Sequence, residues 1–356
     1  MGEGSRKYQS DKEIPSAEKT LGMGCEMVAA YASNDGYARH LAASMCSLFD
    51  NNQSEEMIRV YILSNRLSEE NIGRLKSIAD KYGREMVVVE LGDVRSRFPY
   101  EIDTRGFDVS ALSRFFMAEM IPAHEERILY LDCDTIVKDS LTPLWELPLE
   151  GYALAAAMEP TVGMNIKGQI DLTREDAYYN SGVLLINLAY WRREKVQEKL
   201  LDFYRERDGR LFACDQDTIN GALRGKIRLL DPRYNFFTNL KYFPYSSLVV
   251  RTAEYAAVTK EQLTAAKKNP AVLHYLGDER PWKRGNLNPY RKYYTKYLAM
   301  TPYAGTKKET GMELYLLIYH LMEWMTLVFP EVRFAINDTM GMWVIDRRSR
   351  KSRKTS

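Results

Sequence analysis

Between Met27 and Leu91 three short apolar runs alternate with two amphipathic stretches, and this alternation constrains the fold more than any other feature. Met27-Val-Ala-Ala-Tyr-Ala32, Arg59-Val-Tyr-Ile-Leu63 and Met86-Val-Val-Val-Glu-Leu91 read as strands, because β-branched and apolar runs of this length suit a sheet covered on both faces. Tyr37 to Phe49 carries Leu41, Met45 and Leu48 at helical spacing. Ser68, followed by Glu69 and Glu70, starts a second helix that runs to about Tyr82. Strand, helix, strand, helix, strand at this spacing predicts a parallel, doubly wound α/β sheet. Ligands of such sheets gather at the carboxyl ends of the strands. The turn Ser33-Asn34-Asp35-Gly36 lies at one such end.

A second strand end carries charge. Ile128 to Leu131 is an apolar run that ends in Asp132-Cys133-Asp134. Residues i and i+2 of an extended chain point to the same side, so both carboxylates can reach one ion. Hard divalent cations such as Mn²⁺ or Mg²⁺ take oxygen ligands and keep positions open for phosphate. The same pair also occurs as a plain solvated turn, and the rest of the chain has to decide.

Farther along, Ser110 to Met120 reads as a helix closed by Pro122 and containing Arg114. Tyr152 to Ala157 and Tyr178 to Leu188 read as strands, Ala189 to Arg207 as one helix, and Asp215-Gln216-Asp217 as the start of another. Ala271-Val-Leu-His-Tyr275 is a last short strand, and Tyr290 to Met300 an aromatic-rich helix. The expected organisation is a flexible segment over 1–24, a main α/β domain over 25–300 and a helical, basic tail over 301–356. The formal charge of +2 leaves no global field to draw nucleic acid. Four scattered cysteines form no C-x-x-C, and the polar opening residues do not read as a secretory leader. The expected location is cytoplasmic.

Taken in order, these segments resemble the family 8 glycosyltransferases, retaining enzymes that use nucleotide sugars. The resemblance runs from about Met27 to Trp282. It rests on Tyr-Ala-Ser-Asn-Asp-Gly-Tyr37, Leu-Ser-Arg-Phe115, Ile-Leu-Tyr-Leu-Asp-Cys-Asp134, Tyr-Asn-Ser-Gly-Val-Leu-Leu-Ile-Asn-Leu188, Asp-Gln-Asp217 and His-Tyr-Leu-Gly-x-x-x-Pro-Trp282. It implies a GT-A fold, a Rossmann-like mixed sheet flanked by helices, here with a C-terminal helical appendage. Ala32, Asn34, Asp35 and Tyr37 would hold uridine, with Asn34 and Asp35 as hydrogen-bonding groups and Tyr37 stacking on the base. Asp132, Asp134 and His274 would be the metal ligands, for Mn²⁺ or alternatively Mg²⁺. Arg114 would contact the donor sugar or diphosphate. Asn180, Asp215 and Gln216 would line the reacting face, and Gly277 and Arg280 would grip the diphosphate. Two positions depart from the pattern: Arg280 replaces a usual lysine and is flanked by Asp278 and Glu279, and Gly36 replaces an amide.

The expected activity is transfer of glucose or galactose from UDP-glucose or UDP-galactose to a glycan or lipid-linked acceptor, as in polysaccharide or lipopolysaccharide synthesis. Gln216 is a poor nucleophile, so same-face attack is preferred to a covalent route through Asp215 or Asp217. Glu159 is a candidate acceptor contact. A non-catalytic nucleotide-sugar-binding protein and a glycogenin-like self-glucosylating primer are the alternatives. In the tail, Met312 to Phe329 reads as an amphipathic helix with Leu314, Leu317, Ile318, Leu321 and Met325 on one stripe and Pro330 after it. A second apolar patch, Met340 to Ile345, and six basic residues in the eight positions from Arg347 to Lys354 follow. These features leave two readings, a helix packed back on the core and peripheral association with the inner face of the cell membrane, of which the second is preferred.

Overall fold

The structure, a computed structural model, describes residues 26–339. The expected alternation is present. β1 (Glu26–Ser33), β2 (Met57–Ser64) and β3 (Glu85–Glu90) run parallel, joined by α1 (Ala38–Asp50) and α2 (Glu69–Lys81). Ser68 caps α2 by accepting the Asn71 N–H, a contact that satisfies one of the helix's orphan donors.

Over 110–120 the expected α-helix is instead a 3₁₀ helix, Val109–Phe116, followed by one turn of α3 (Met117–Met120). Asp108 opens it by accepting the Ser110 N–H at 2.9 Å. The tighter pitch stacks i and i+3, which lets Arg114 Nε donate to Ala111 O at 2.9 Å. The winding aims Arg114 inward.

β4 (Arg127–Leu131) pairs parallel with β1. Beyond β5 (Thr135–Val137) and α4 (Thr142–Trp145), β6 (Leu154–Met158) and α5 (Met164–Lys167) lead to β7 (Tyr179–Asn187). β7 lies antiparallel between β4 and β6, so the sheet is mixed, in the order β3-β2-β1-β4-β7-β6-β8. The wholly parallel arrangement holds only for its first half. α6 (Leu188–Arg193) and α7 (Val196–Arg205) replace the single helix expected over 189–207, because Lys195 adopts φ 53°, a left-handed conformation that no helix continues through. α8 (Cys214–Ala222) precedes β8 (Ile227–Leu229).

A smaller sheet, β5-β10-β9, is built from β9 (Phe236–Phe237) and β10 (Val272–His274), with α9 (Tyr245–Arg251) and α10 (Lys260–Lys268) between them. It stands at the carboxyl end of β4. Fully buried side chains such as Ile128, Leu129, Leu131 and Leu185 fill the large sheet's core, each contributing about 1.5–3 kcal/mol.

α11 (Arg291–Leu298) closes on α1, with the Tyr294 hydroxyl 2.7 Å from His40 Nδ1. α12 (Glu313–Thr326) then packs with its apolar stripe outward. Leu314, Leu317, Ile318, Leu321 and Met325 are exposed, whereas Leu316, His320, Glu323 and Thr326 face the protein. Pro330 begins a further helical stretch, 330–339, in which Phe334 stacks on Phe243 at 5.2 Å. The N-terminal segment, the Met340 to Ile345 patch and the basic run lie outside the described residues.

Candidate active site

A crevice opens where β1, β4 and β10 end and the antiparallel β7 begins. It is lined by Ala32, Asn34 and Tyr37 on one side, by Arg114, Asp132 and Asp134 at its floor, and by Asn180, Asp215, Gln216, His274 and Arg280 opposite. Eleven of the thirteen expected site residues therefore meet. Asp35 and Gly277 are not in the lining. The Asp35 carboxylate turns away to accept the Ser68 N–H at 2.6 Å and Asn71 Nδ2 at 2.9 Å. Those bonds hold its pKa below the usual range and make it a brace for the start of α2 rather than a group facing the crevice.

Asp132, Asp134 and His274 place one ligand atom each within 4.8 Å of one another. His274 Nε2 lies 3.3 Å from Asp134 Oδ1 and 3.9 Å from Asp132 Oδ2. Its other nitrogen, Nδ1, meets Asn235 Oδ1 at 2.9 Å. Asn235 Nδ2 is held by Asn180 Oδ1 at 2.9 Å, so the asparagine oxygen faces the imidazole and Nδ1 carries the proton. The Nε2 lone pair is left toward the two carboxylates, the usual arrangement of a metal-bound histidine with its supporting acceptor. Burial keeps His274 below its ordinary pKa and neutral. This donor set fits a divalent cation.

No side chain can stand at Gly182. A Cβ there would lie 2.1 Å from His274 Cε1 and 2.9 Å from Asp132 Oδ2. The Gly182 carbonyl accepts the Asp132 N–H at 2.8 Å, so β7 passes directly against the ligand set.

Arg114 turns inward, and protein groups bind its guanidinium on every side. It is 2% exposed. Nε binds Ala111 O; Nη1 reaches Ser181 O and Asp215 Oδ2 (3.1 Å); Nη2 reaches the Tyr130 hydroxyl (3.0 Å) and Asp132 Oδ1 (2.8 Å). All five donors of a guanidinium are thereby engaged. Arg114 ties two carboxylates of the site in place, and Asp215, Tyr130 and Asp132 keep it charged against the burial that opposes this.

Gln216 is equally committed. Its Oε1 accepts Asn180 Nδ2 (2.8 Å) and the Ser181 N–H (3.1 Å), and its Nε2 donates to Glu159 Oε2 and the Tyr178 hydroxyl (both 3.1 Å). Glu159, expected as an acceptor contact, instead bonds both amides through Oε2, accepting Asn180 Nδ2 at 2.9 Å as well. Asp217 is fully buried behind them. It accepts the Ala213 N–H (2.7 Å) and the Tyr178 hydroxyl (2.5 Å), and burial pushes its pKa up to about 6. It caps α8 and does not face the crevice. Asp215 accepts the Ser181 hydroxyl at 2.8 Å, with burial raising its pKa. Tyr130 and Ser181 stand inside the sequence motifs without a role of their own there, and Asn235 lies outside every motif.

Residues 28–285 match the model of "Glycosyl transferase family 8". The chain belongs to glycosyl transferase family 8. General stress protein A of Bacillus subtilis is 27% identical over 76% of this chain and 92% of its own length. A lipopolysaccharide 1,2-glucosyltransferase of Escherichia coli K12 is 25% identical over 77% and 78%. The crystal structure of galactosyltransferase LgtC with donor and acceptor sugar analogues superposes with a TM-score of 0.65 at 26% identity, covering 78% of this chain and 96% of that one. The α/β architecture of this family 8 member, a mixed seven-stranded sheet flanked by helices, is that of LgtC.

Proposed function

We propose that this family 8 glycosyltransferase moves glucose or galactose, with retention, from a UDP-sugar to a glycan or lipid-linked acceptor, using Mn²⁺ or Mg²⁺. The observation that carries the reading is the convergence of Asp132, Asp134 and the unprotonated Nε2 of His274 in one crevice with Asn34, Tyr37 and Gln216. Asp132, Asp134 and His274 would hold the cation. Bound there, it supplies positive charge to a leaving diphosphate.

The chain's own groups supply the rest. Arg280 lines the crevice and would add charge on the diphosphate side. Tyr37 is 37% exposed at the crevice edge, open for a base to stack on. Gln216, Asp215 and Asn180 would hold the sugar. Asp217 is engaged as a cap and Asp215 is paired with Arg114, which favours same-face attack by the acceptor hydroxyl over a covalent intermediate. Release of UDP from UDP-glucose and UDP-galactose, with and without Mn²⁺, tests the reading. Turnover independent of added cation sinks the metal assignment, and no turnover with any UDP-sugar favours a non-catalytic binder. A self-glucosylating primer has little support, since Tyr31, Tyr130, Tyr178, Tyr204, Tyr255 and Tyr275 are buried.

For the acceptor side we infer a membrane surface. No helix among the described residues is long and apolar enough to cross a bilayer. Yet α12 and the residues just after it present Leu314, Leu317, Ile318, Leu321, Trp324 and Phe329 outward, each 48–72% exposed. A patch of this kind marks an interaction site. The six basic residues that follow in sequence favour an anionic bilayer as its occupant, at about 1 kcal/mol per charge near the surface. Sedimentation with phosphatidylglycerol-containing vesicles, weakened by salt and by truncation after Tyr303, is the expected result. A soluble dimer with no vesicle binding at low salt overturns it.

A further inference from the structure

The segment between the His274 and Trp282 positions is gripped from two sides. On the inner side, Arg280 Nη1 reaches the Asp134 carboxylate and donates to Tyr275 O at 2.5 Å. On the outer side, the two residues before it are held by α12. The Tyr315 hydroxyl donates to Asp278 Oδ2 at 3.1 Å. Glu279, 1% exposed, lies with Oε1 3.5 Å from His320 Nδ1, and the same nitrogen is 3.0 Å from Glu323 Oε2. His320 Nε2 accepts the Leu287 N–H at 2.9 Å, so Nδ1 is the protonated nitrogen and donates to Glu323 Oε2, with Glu279 Oε1 packed beside it.

This joint is chemically expensive. Two carboxylates and an imidazole sit at 1–2% exposure, where an apolar contact of the same volume would cost far less. Buried polar joints of this kind set registry more than they add stability. The registry set here is that of one loop. Gly277, at φ 66°, turns the chain just before Asp278, and Arg280 follows both handles.

We propose that α12 positions Arg280: Tyr315, His320 and Glu323 hold Asp278 and Glu279 so that the guanidinium stays beside Asp134 at the crevice. The proposal rests on the reading that the crevice takes a nucleoside diphosphate, and it makes Tyr315, His320 and Glu323 positioning residues that touch no substrate. It also gives a role to Asp278 and Glu279, the two acids that precede Arg280.

The test uses the full chain, with calorimetric titration of UDP in Mn²⁺ and donor kinetics. His320→Asn is expected to weaken UDP binding and raise the donor KM about tenfold, with kcat changed by less than about twofold. Tyr315→Phe, which removes one hydroxyl and leaves the packing, is expected to give about a threefold loss and serves if the His320 variant fails to fold. In an Arg280→Ala background neither substitution should weaken UDP further, since residues acting through one group are not additive. Equal losses with and without Arg280, or no loss from either single variant, overturn the proposal. If the unaltered protein binds no UDP in Mn²⁺, the donor reading itself fails and this inference with it.

Discussion

Two clusters in this protein have the same ingredients, a histidine between two acidic side chains, and they do opposite things. At the strand ends, Asn235 Oδ1 accepts the Nδ1–H of His274, so a lone pair faces Asp132 and Asp134. Under α12, the Leu287 N–H occupies Nε2 of His320, so a proton faces Glu279 and Glu323. The first arrangement offers three ligand atoms to a cation. The second gives its proton to Glu323 with Glu279 packed beside it, and closes a joint. The residue types alone do not separate them; the partner on the far side of each imidazole does.

The largest effect should come from removing a carboxylate of the first cluster. Asp132→Ala or Asp134→Ala is expected to lower cation-dependent UDP release at least about 100-fold, and near-normal activity would erase the contrast between the clusters. Asn235→Ala should be next. It lets His274 choose its tautomer, and loss of such a supporting partner costs about 10- to 100-fold in metal affinity, measurable by Mn²⁺ titration of an otherwise folded protein. Unchanged affinity would show that the far-side partner is not what makes the site.

The smallest effect concerns pH. Burial, then the neighbouring Glu323, pushes Glu279 up to about 8, and burial pushes Glu323 up to about 7. The folded protein therefore binds more protons here than the unfolded chain does. The joint's stability is full below the ordinary carboxyl range and is lost as pH rises through about 7 to 8. Asn288, Arg333, Arg291, Tyr242 and Tyr319 face this cluster along with His320. Proteolytic release of the α12 segment should speed up across that window, and much less so in Glu279→Gln. Cleavage rates that are flat with pH would mean that the two acids hold no shared proton.

Much of the fold was readable because apolar runs report burial directly: β1, β2, β3 and β4 each stand within two residues of the expected bounds. The break at Lys195 was not, since nothing in a lysine announces a left-handed backbone. The 3₁₀ winding of Val109–Phe116 was also hidden, because one turn of either helix repeats nearly the same pattern. In the site, Asp132, Asp134 and His274 were visible as polar groups at strand ends. Asn235 and the double bond made by Glu159 were invisible, because they are set by packing between segments far apart in sequence. The stripe on α12 was visible, but not its direction. Periodicity shows that two faces differ and leaves open which one meets the core.

Asp132, just past β4 of the large sheet, and His274, in β10 of the small one, stand 142 positions apart (132 to 274). Between them in sequence lie β6, β7 and α8, and the pairing of His274 with Thr135 across β10 and β5 is what brings the two side chains together. An encounter so distant along the chain has a high loop-closure entropy and belongs late in folding. Any ligand that bridges the pair can recognise only the completed native state. It therefore stabilises the folded protein by mass action, by about 2.7 kcal/mol at a hundredfold excess over its dissociation constant, and raises the melting temperature accordingly. A thermal-shift screen of cations and nucleotides would in this way count the ligands that the two sheets clasp together, before any acceptor has been found.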